Sequence, residues 1–313
     1  MNEPRVDSLQ GAVRLSEWGL IRAQGVDAAS FLQGQLTQDV QHLERGSACL
    51  AGYCSAKGRL LASFVVWRAG ADEWLLACSA DILPATLKRL SMFVLRAKCK
   101  LSDASGDLAL YGLAGATSTQ WLGDSAPSAP WQVADGTTGQ VLRLADAAGQ
   151  PRYLLAAAVE APAPTLPDLS TQAWSWLEVS SGVARLEAAT VEQFVPQMVN
   201  FELVGGVNFQ KGCYPGQEVV ARSQYRGTIK RRAFVFDVDA AARPGQEVFH
   251  SEDAEQPAGM VINAASMGDA HRALVEVKLA ALESGSLHLG SAGGPGLRRL
   301  AQQPYPVPIE AAA

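Results

Sequence analysis

The order of extended and helical segments is the sequence feature that most limits the fold of this chain. Residues 18–23, 48–55, 60–67 and 73–79 have the short apolar runs typical of strands, and residues 98–113 return to that pattern. Between them, residues 81–96 carry apolar side chains at helical spacing, which predicts an amphipathic helix. Strands that flank a helix in this order favour an α+β fold with antiparallel sheets over a doubly wound nucleotide fold.

The rest of the chain divides into a loop-rich middle and a strand-rich end. Pro-rich loops at residues 124–131 and 160–168 precede a predicted helix at residues 169–182. Residues 192–218 form a long loop region with interspersed apolar residues, and loops of that length are usually kept for function. Short strand-like runs then follow, which predict a small barrel or sandwich beyond a boundary near residue 228.

Composition and charge exclude several classes of protein. The 313 residues carry a formal net charge of −5, which argues against a protein that coats nucleic acid through a large basic face. The longest stretch without a charged residue, 108–123, is too short and too polar to span a membrane, and no signal peptide is visible. The five cysteines form no CxxC pair and the four histidines are scattered, so we predict neither disulfides nor a metal site and expect a cytoplasmic protein.

The segment at residues 208–222 carries the residue types of a reactive site. Cys213 lies two residues before Pro215, and proline favours the first position of a helix. A thiol at a helix start, with Lys211 and Arg222 nearby, is expected to favour the thiolate. Gly212 and neighbouring glycines would let the backbone approach a ligand closely. The alternative is that Cys213 is a small buried hydrophobic residue, which is the usual environment of a free cysteine.

Five motifs in this sequence resemble those of the YgfZ family, whose members are relatives of the glycine-cleavage T-protein, an aminomethyltransferase. The central motif is K-G-C-Y-P-G-Q-E at residues 211–218, which is similar to the family's hallmark octapeptide. The other four occur in the family's order, and they are F-L-Q-G-Q-L-T-Q-D-V (31–40), A-K-G-R (56–59), Q-F-V-P-Q (193–197) and R-G-T-I-K-R-R (226–232).

The resemblance implies a fold, a cofactor and a role. The fold would be a T-protein-like α+β arrangement of three subdomains around a central folate-binding hole. Residues 1–228 would form two α+β subdomains, which can be discontinuous in sequence, and residues 229–313 a C-terminal β-barrel. The protein would bind tetrahydrofolate and support the assembly or repair of iron–sulfur clusters, acting on tRNA modification indirectly. Its partners would be iron–sulfur enzymes or cluster-assembly proteins, with no membrane and no direct nucleic-acid partner.

The same resemblance suggests the site residues. Cys213, assisted by Lys211, would supply the chemistry. The candidate folate-binding residues are Trp18, Gln35, Asp39, Trp174, Glu178, Gly212, Tyr214, Gln217, Glu218, Arg222 and Arg226. The two tryptophans could equally be core residues, since tryptophan is largely buried on average.

Two departures from the relatives' patterns limit the activity that can be expected. Where the T-protein has an aspartate pair in a G-G-I-x-D-D segment, this chain has G-R-L-L-A-S at residues 58–63, with no carboxylate. Leu or Ala there cannot orient a nitrogen or exchange a proton, so we expect no aminomethyltransferase activity. Where relatives have a glutamate that contacts the pterin, this chain has Ser180, and Glu178 could replace it. Two alternatives stay open: a folate-dependent one-carbon transferase or demethylase, and a tRNA-binding module that uses the basic run at residues 226–232.

Overall fold

Two five-stranded antiparallel sheets and a closed barrel contain the strands of the described residues, 4–226 and 229–309, of a computed structural model. In chain order the strands are β1 (Gly11–Arg14), β2 (Trp18–Gln24), β3 (Ala48–Cys54), β4 (Leu60–Gly70), β5 (Glu73–Ser79), β6 (Lys100–Asp103), β7 (Leu108–Ala114), β8 (Val133–Asp135), β9 (Gly139–Arg143), β10 (Arg152–Ala158), β11 (Arg231–Val238), β12 (Glu247–His250), β13 (Asp253–Met267), β14 (Ala270–Lys278), β15 (Leu287–Leu289) and β16 (Gly296–Arg299). The α-helices are α1 (Ala28–Gln33), α2 (Leu83–Ser91), α3 (Gly115–Leu122), α4 (Thr171–Ser180) and α5 (Gln217–Tyr225). Short 3₁₀ helices occupy Val6–Leu9, Gly123–Ser125, Ala188–Thr190, Pro196–Val199 and Leu279–Leu282.

The first sheet has the strand order β3-β4-β5-β2-β6. One of its faces is covered by α2, because a Cβ atom built on Gly19 of β2 would lie 2.4 Å from Leu83 Cδ1 of that helix. Since neighbouring residues of a strand point to opposite faces, Trp18 projects from the other face. The face of β2 opposite α2 is therefore the face that can border a site.

The second sheet has the order β1-β7-β10-β9-β8, so its first strand precedes the whole of the first sheet in the sequence. Helix α4 packs on this sheet closely, since a Cβ atom on Gly112 of β7 would lie 2.6 Å from the Trp174 ring. Ser170 caps α4 by accepting a hydrogen bond from the Ala173 N–H, and Gly182, with a φ of +67°, ends the helical segment as predicted. The same helix contacts strands β13 and β14, which places it between the second sheet and the barrel.

The barrel closes in the order β11-β14-β13-β12-β15-β16. The sequence predicted five strands here, and β16 was missed because the surrounding glycines and proline at residues 290–296 favour a loop. The predicted division at residue 228 falls on Gly227 and Thr228, which lie outside the described residues.

Other boundaries differ from the sequence prediction for local reasons. Helix α2 ends at Ser91 instead of continuing to Arg96, and residues 92–97 form turns. Helix α5 begins at Gln217, because Gly216 before it adopts a left-handed φ of +79°, so Pro215 does not start the helix. Helix α3 was not predicted at all. Among the described residues, no helix is long and apolar enough to cross a membrane.

Candidate functional site

The loop that carries Cys213 is docked onto the segment that follows α1. Thr37 Oγ1 donates a hydrogen bond to the Gly206 carbonyl, and the Asn208 N–H donates to the Thr37 carbonyl at 2.9 Å. The Lys211 ammonium, further along the loop, donates to the carbonyls of Gln33 and Leu36. The structure thus packs the K-G-C motif directly against the F-L-Q-G-Q motif.

The remaining motifs converge on the same region. Gly58 in the A-K-G-R turn lies against Gly216, since a Cβ atom on Gly216 would be 2.6 Å from Gly58 Cα. Arg59 donates to the Gln193 carbonyl at 2.5 Å, and Gln197 Nε2 donates to the Val220 carbonyl of α5 at 2.8 Å. The fifth motif joins through Arg232, whose guanidinium donates to the Gln197 carbonyl. Motifs that are far apart in the sequence therefore form one packed unit.

Lys211 is an anchor of this unit. Its side chain is buried, and desolvation lowers its pKa to about 8 although the negative charge of Asp39 favours the ammonium. Its donors are directed at the two carbonyls that follow α1, and its ammonium lies 5.3 Å from the centre of the Tyr214 ring. This geometry makes Lys211 a residue that positions the Cys213 loop.

Cys213 is the exposed thiol of the chain. It precedes the first residue of α5 by four positions, so it does not stand at the helix start where the sequence analysis placed it. Burial raises the pKa of Cys49, Cys54 and Cys78 to about 12, which disfavours their thiolates; Cys54 and Cys78 lie in the core and Cys49 is packed against it. Cys99 is half-buried, and burial raises its pKa too.

The structure distributes the other residues predicted around Cys213 as follows. Tyr214 is buried, and burial raises the pKa of its hydroxyl. Gln35 is half-buried, and among the described residues its Oε1 has no hydrogen-bond partner. Asp39 accepts from the His42 ring at 2.9 Å. The remaining predicted residues are exposed or half-buried at the surface, and they are Gly212, Gln217, Glu218, Arg222 and Arg226.

A separate cavity lies between the first sheet, the second sheet and α4. It encloses about 480 Å³ of space that no atom fills, part of it open to solvent. The side chains that line it include Trp18, Leu50, Ser63, Val65, Ala77, Trp131, Leu144, Arg152, Glu178 and Arg185. Residues 208–222 do not contribute to this lining.

The cavity and the segment that holds the Cys213 loop both contact β3. Leu50 lines the cavity, and two residues further along the strand the Gly52 N–H donates to Thr37 Oγ1 at 2.7 Å. Thr37 in turn is bonded to the loop through Gly206 and Asn208. The sequence analysis expected the cofactor beside Cys213, and that placement stays a prediction.

Buried charges give the cavity its electrostatic character. Desolvation raises the pKa of Glu178, an effect that the nearby Arg185 and Arg152 guanidinium groups oppose. Arg185 lies 3.6 Å from Glu178 and 3.4 Å from Glu187, and it stacks 5.3 Å from the centre of the Trp18 ring. Desolvation also lowers the pKa of Arg152 to about 10. The cavity thus offers a carboxylate, two guanidinium groups and an aromatic wall.

These groups fit the ring system of a folate. The buried Nε1 of Trp18 has no hydrogen-bond partner among the described residues, so it can donate to a ligand. A pterin presents a flat face for Trp18 and adjacent N–H donors for a carboxylate such as Glu178. The donor set therefore suits the predicted cofactor.

One of the sequence expectations about this cavity needs correction, while the candidate Glu178 does border it. Trp174 has no exposed surface and is packed on Gly112, so it lies in the core instead of lining the cavity. Ser180, which aligned with the relatives' pterin-binding glutamate, accepts a hydrogen bond from Arg272 and does not border the cavity. Glu178, two residues earlier on α4, does border it, because residues two apart on a helix point to different sides.

Sequence reasoning missed Trp131, Arg152 and Arg185 as cavity residues. Trp131 has a left-handed φ of +68°, a conformation that is costly for a bulky side chain. Its backbone is held there by hydrogen bonds from the Ala48 N–H and to the Arg143 carbonyl, both 2.7 Å. The only sequence feature that could have indicated Trp131 as a cavity residue is its place at the end of a Pro-rich loop. Among the described residues, no group of three or more potential ligands could hold a metal ion.

Comparisons with known proteins identify relatives of this chain. Residues 6–151 match the family described as the GCVT N-terminal domain. The chain is 35% identical to the tRNA-modifying protein YgfZ of Edwardsiella ictaluri over 233 residues, which cover 71% of this chain and 69% of that protein. It is 33% identical to the tRNA-modifying protein YgfZ of Colwellia psychrerythraea over 251 residues, or 77% of this chain and 74% of that protein.

A solved structure shows the same fold. The glycine cleavage system aminomethyltransferase T from Bartonella henselae superposes with a TM-score of 0.72 at 16% sequence identity, over 94% of this chain and 86% of that one. The predicted α+β fold of the T-protein type, with a barrel at its C-terminal end, is therefore confirmed.

Proposed function

Since the chain belongs to the YgfZ family, we propose that it binds tetrahydrofolate in the cavity between its two sheets and serves as an accessory protein of iron–sulfur metabolism. The observation that carries the folate proposal is the buried carboxylate of Glu178 in a cavity that also holds the unpartnered Trp18 Nε1. By the relatives' description the role is connected with tRNA modification, which we assign to an indirect effect through iron–sulfur enzymes.

The cavity residues have distinct parts in this proposal. Trp18 and Trp131 provide flat apolar faces for the ring system, and the Glu178 carboxylate accepts its N–H groups. Arg152 and Arg185 oppose the rise in the pKa of Glu178 that burial causes, and their positive charges favour an anionic ligand. Tetrahydrofolate, when bound, supplies nitrogen atoms that can carry a one-carbon group.

Titration of the intrinsic tryptophan fluorescence with tetrahydrofolate tests the folate proposal. We expect quenching in the unaltered protein and an affinity at least about tenfold weaker in Glu178→Gln, since a hydrogen bond to a charged group contributes about 1.5–3 kcal/mol. Trp18→Phe should lose part of the quenching, whereas Trp121→Phe, on the apolar cluster of the second sheet and away from the cavity, should keep it. Equal affinity of the Glu178→Gln variant, or no binding at all, would contradict the proposal.

For the iron–sulfur role we propose that Cys213 supplies the required thiol. Support comes from its exposure on a loop that Lys211 and Thr37 hold in place, whereas three of the other thiols have their pKa raised by burial to about 12. Rigid support of an exposed reactive group is what a site on a loop requires. The partners proposed are iron–sulfur enzymes or cluster-assembly proteins.

Complementation of a bacterial strain that lacks its own homologue tests the role of the thiol. Cys213→Ser should bind tetrahydrofolate normally but fail to restore the activity of iron–sulfur enzymes, because serine is a far poorer nucleophile and metal ligand than a thiolate. Cys99→Ser, at a half-buried thiol, should complement fully. Full complementation by Cys213→Ser would refute the role of the thiol and leave the folate proposal standing.

One-carbon transfer by this chain has less support. Residues 58–63 carry no carboxylate, and the hydroxyl of Ser63 already accepts a hydrogen bond from the Leu186 N–H. This segment therefore lacks the acidic group that aminomethyl transfer at a folate nitrogen uses in the T-protein. Glu178, the carboxylate that borders the cavity, is already held by Arg185. We therefore propose no aminomethyltransferase activity.

A further inference from the structure

A segment on the outside of the first sheet combines exposed apolar and basic side chains. Met92, Phe93 and Leu95 are 58%, 43% and 86% exposed. Single exposed hydrophobic residues are common, but three large ones within four positions make a patch that usually marks an interaction site. Together with the exposed cations of the same segment, they form a basic–apolar ridge, which comprises Lys88, Met92, Phe93, Leu95, Arg96, Lys98 and Lys100.

The ridge carries an excess of positive charge, with Asp27, which accepts from the Lys98 backbone N–H at 2.7 Å, as a carboxylate beside it. No acidic residue occurs between Asp81 and Asp103, although the whole chain has a net charge of −5. Within the described part of the chain, Lys88, Arg96, Lys98 and Lys100 form no ion pair (the ion pairs of the structure involve other cations). An anionic partner would relieve the mutual repulsion of these cations.

The backbone presents the apolar part of the ridge to solvent. Leu95 has a left-handed φ of +46°, which leucine rarely adopts, yet its side chain is almost fully exposed. The turn is held by hydrogen bonds from Val94 N–H to the Ser91 carbonyl and from Ala97 N–H to the Val94 carbonyl. Lysines on an edge strand prevent the sheet from pairing with another protein's strand, and this explains why Lys100 lies on β6. It does not explain the exposed apolar residues of the ridge.

The arrangement fits RNA better than a lipid surface. The cations come from α2, the turn and the edge strand β6, so they precede and follow the apolar residues in the chain and can together contact a phosphate backbone. Phe93 offers a face on which an unpaired base can stack, and Met92 and Leu95 can pack against neighbouring bases. Insertion into a bilayer would be shallow, because Val94 and part of Phe93 are packed against the protein.

We propose that the basic–apolar ridge is a binding surface for single-stranded or loop segments of RNA. This goes beyond the folate and iron–sulfur proposal and is independent of it. It also differs from the run at residues 226–232, where Arg231 is paired with Glu276 and Arg232 with Glu202, so neither guanidinium is free for phosphates.

Fluorescence anisotropy of a labelled, unstructured RNA of about 20 nucleotides at about 50 mM salt tests the proposal. The full chain should bind, and the triple variant Lys88→Gln/Arg96→Gln/Lys98→Gln should bind at least tenfold more weakly. Loss of three phosphate contacts should also make the slope of log K against log salt concentration shallower by about 2. Phe93→Ala should weaken binding by about tenfold through loss of stacking.

A matched control is the double variant Arg14→Gln/Arg243→Gln, which removes two exposed cations of the second sheet and the barrel and should bind RNA as the unaltered chain does. Circular dichroism of each variant establishes that it is folded. Unchanged binding by the triple variant, or equal losses in the control, would overturn the proposal. So would association with anionic phosphatidylglycerol vesicles in the absence of RNA binding, which would make the ridge a lipid surface.

Discussion

Gly216→Ala should lower the free energy of unfolding by about 3 kcal/mol, because two penalties act at this one position. Gly216 has a φ of +79°, which costs an L-residue with a side chain about 1–2 kcal/mol. A Cβ atom there would also lie 2.4 Å from the Ser55 carbonyl oxygen and 2.6 Å from Gly58 Cα. These are backbone atoms, which cannot move aside as a flexible side chain could.

Gly212 provides the matched control, since it belongs to the same K-G-C-Y-P-G-Q-E motif. A Cβ atom on Gly212 would meet no other atom within 4 Å, so Gly212→Ala should change stability by no more than about 0.5 kcal/mol. Urea denaturation followed by circular dichroism measures both variants. Equal losses at the two glycines would show that Gly216 is not needed for the contact with the A-K-G-R turn.

Arg232→Met should lower the free energy of unfolding by about 3–5 kcal/mol, the usual result of removing one partner from a buried ion pair. The side chains of Arg232 and Glu202 are each only 6% exposed, and Arg232 also donates to the Gln197 carbonyl and to Asn200. Burial raises the pKa of Glu202 even with the guanidinium present. Without Arg232 the carboxylate would be buried and unpaired.

The pH dependence separates this mechanism from a loss of packing. Removing the guanidinium raises the pKa of Glu202 further. Because a lower pH protonates this carboxylate, the loss of unfolding free energy in Arg232→Met should become smaller as the pH falls. Adding Glu202→Gln should recover part of the loss at neutral pH. Arg226→Met, at an exposed cation of the same motif, should change stability by no more than about 0.5 kcal/mol at any pH. A deficit in Arg232→Met that is constant with pH would argue against the buried-charge mechanism.

These two sites explain why the motifs are visible in the sequence but their roles are not. The glycines of the K-G-C motif were expected to let a ligand approach, whereas Gly216 admits the backbone of Ser55 and Gly58. The basic run at residues 226–232 was expected to face an anionic cofactor or RNA, whereas Arg232 is buried against Glu202. In both cases the residue type was informative, but the partner is far away in the sequence and its identity depends on how the chain folds back.

Long-range packing also decides which residues border the cavity. Trp18 and Trp174 looked equivalent as flat aromatic groups, but the alternation of β2 turns Trp18 toward the cavity, while the close approach of Gly112 buries Trp174. Trp131 reaches the cavity only because hydrogen bonds to Ala48 and Arg143 hold its backbone in a left-handed conformation. No local sequence pattern predicts that Trp131 contacts the cavity.

The sequence by itself determined the α+β class, the strand-rich C-terminal end, the absence of cysteine pairs and the five motifs, because periodicity and short motifs are local properties of a chain. Only the tertiary structure decided that the motifs pack into one unit around Lys211 and Gly216. It also brought Glu178 and Arg152 together at the cavity and turned Ser180 toward Arg272. The physical reason is that burial and charge pairing are set by side chains from distant segments, which meet only after the sheets have formed.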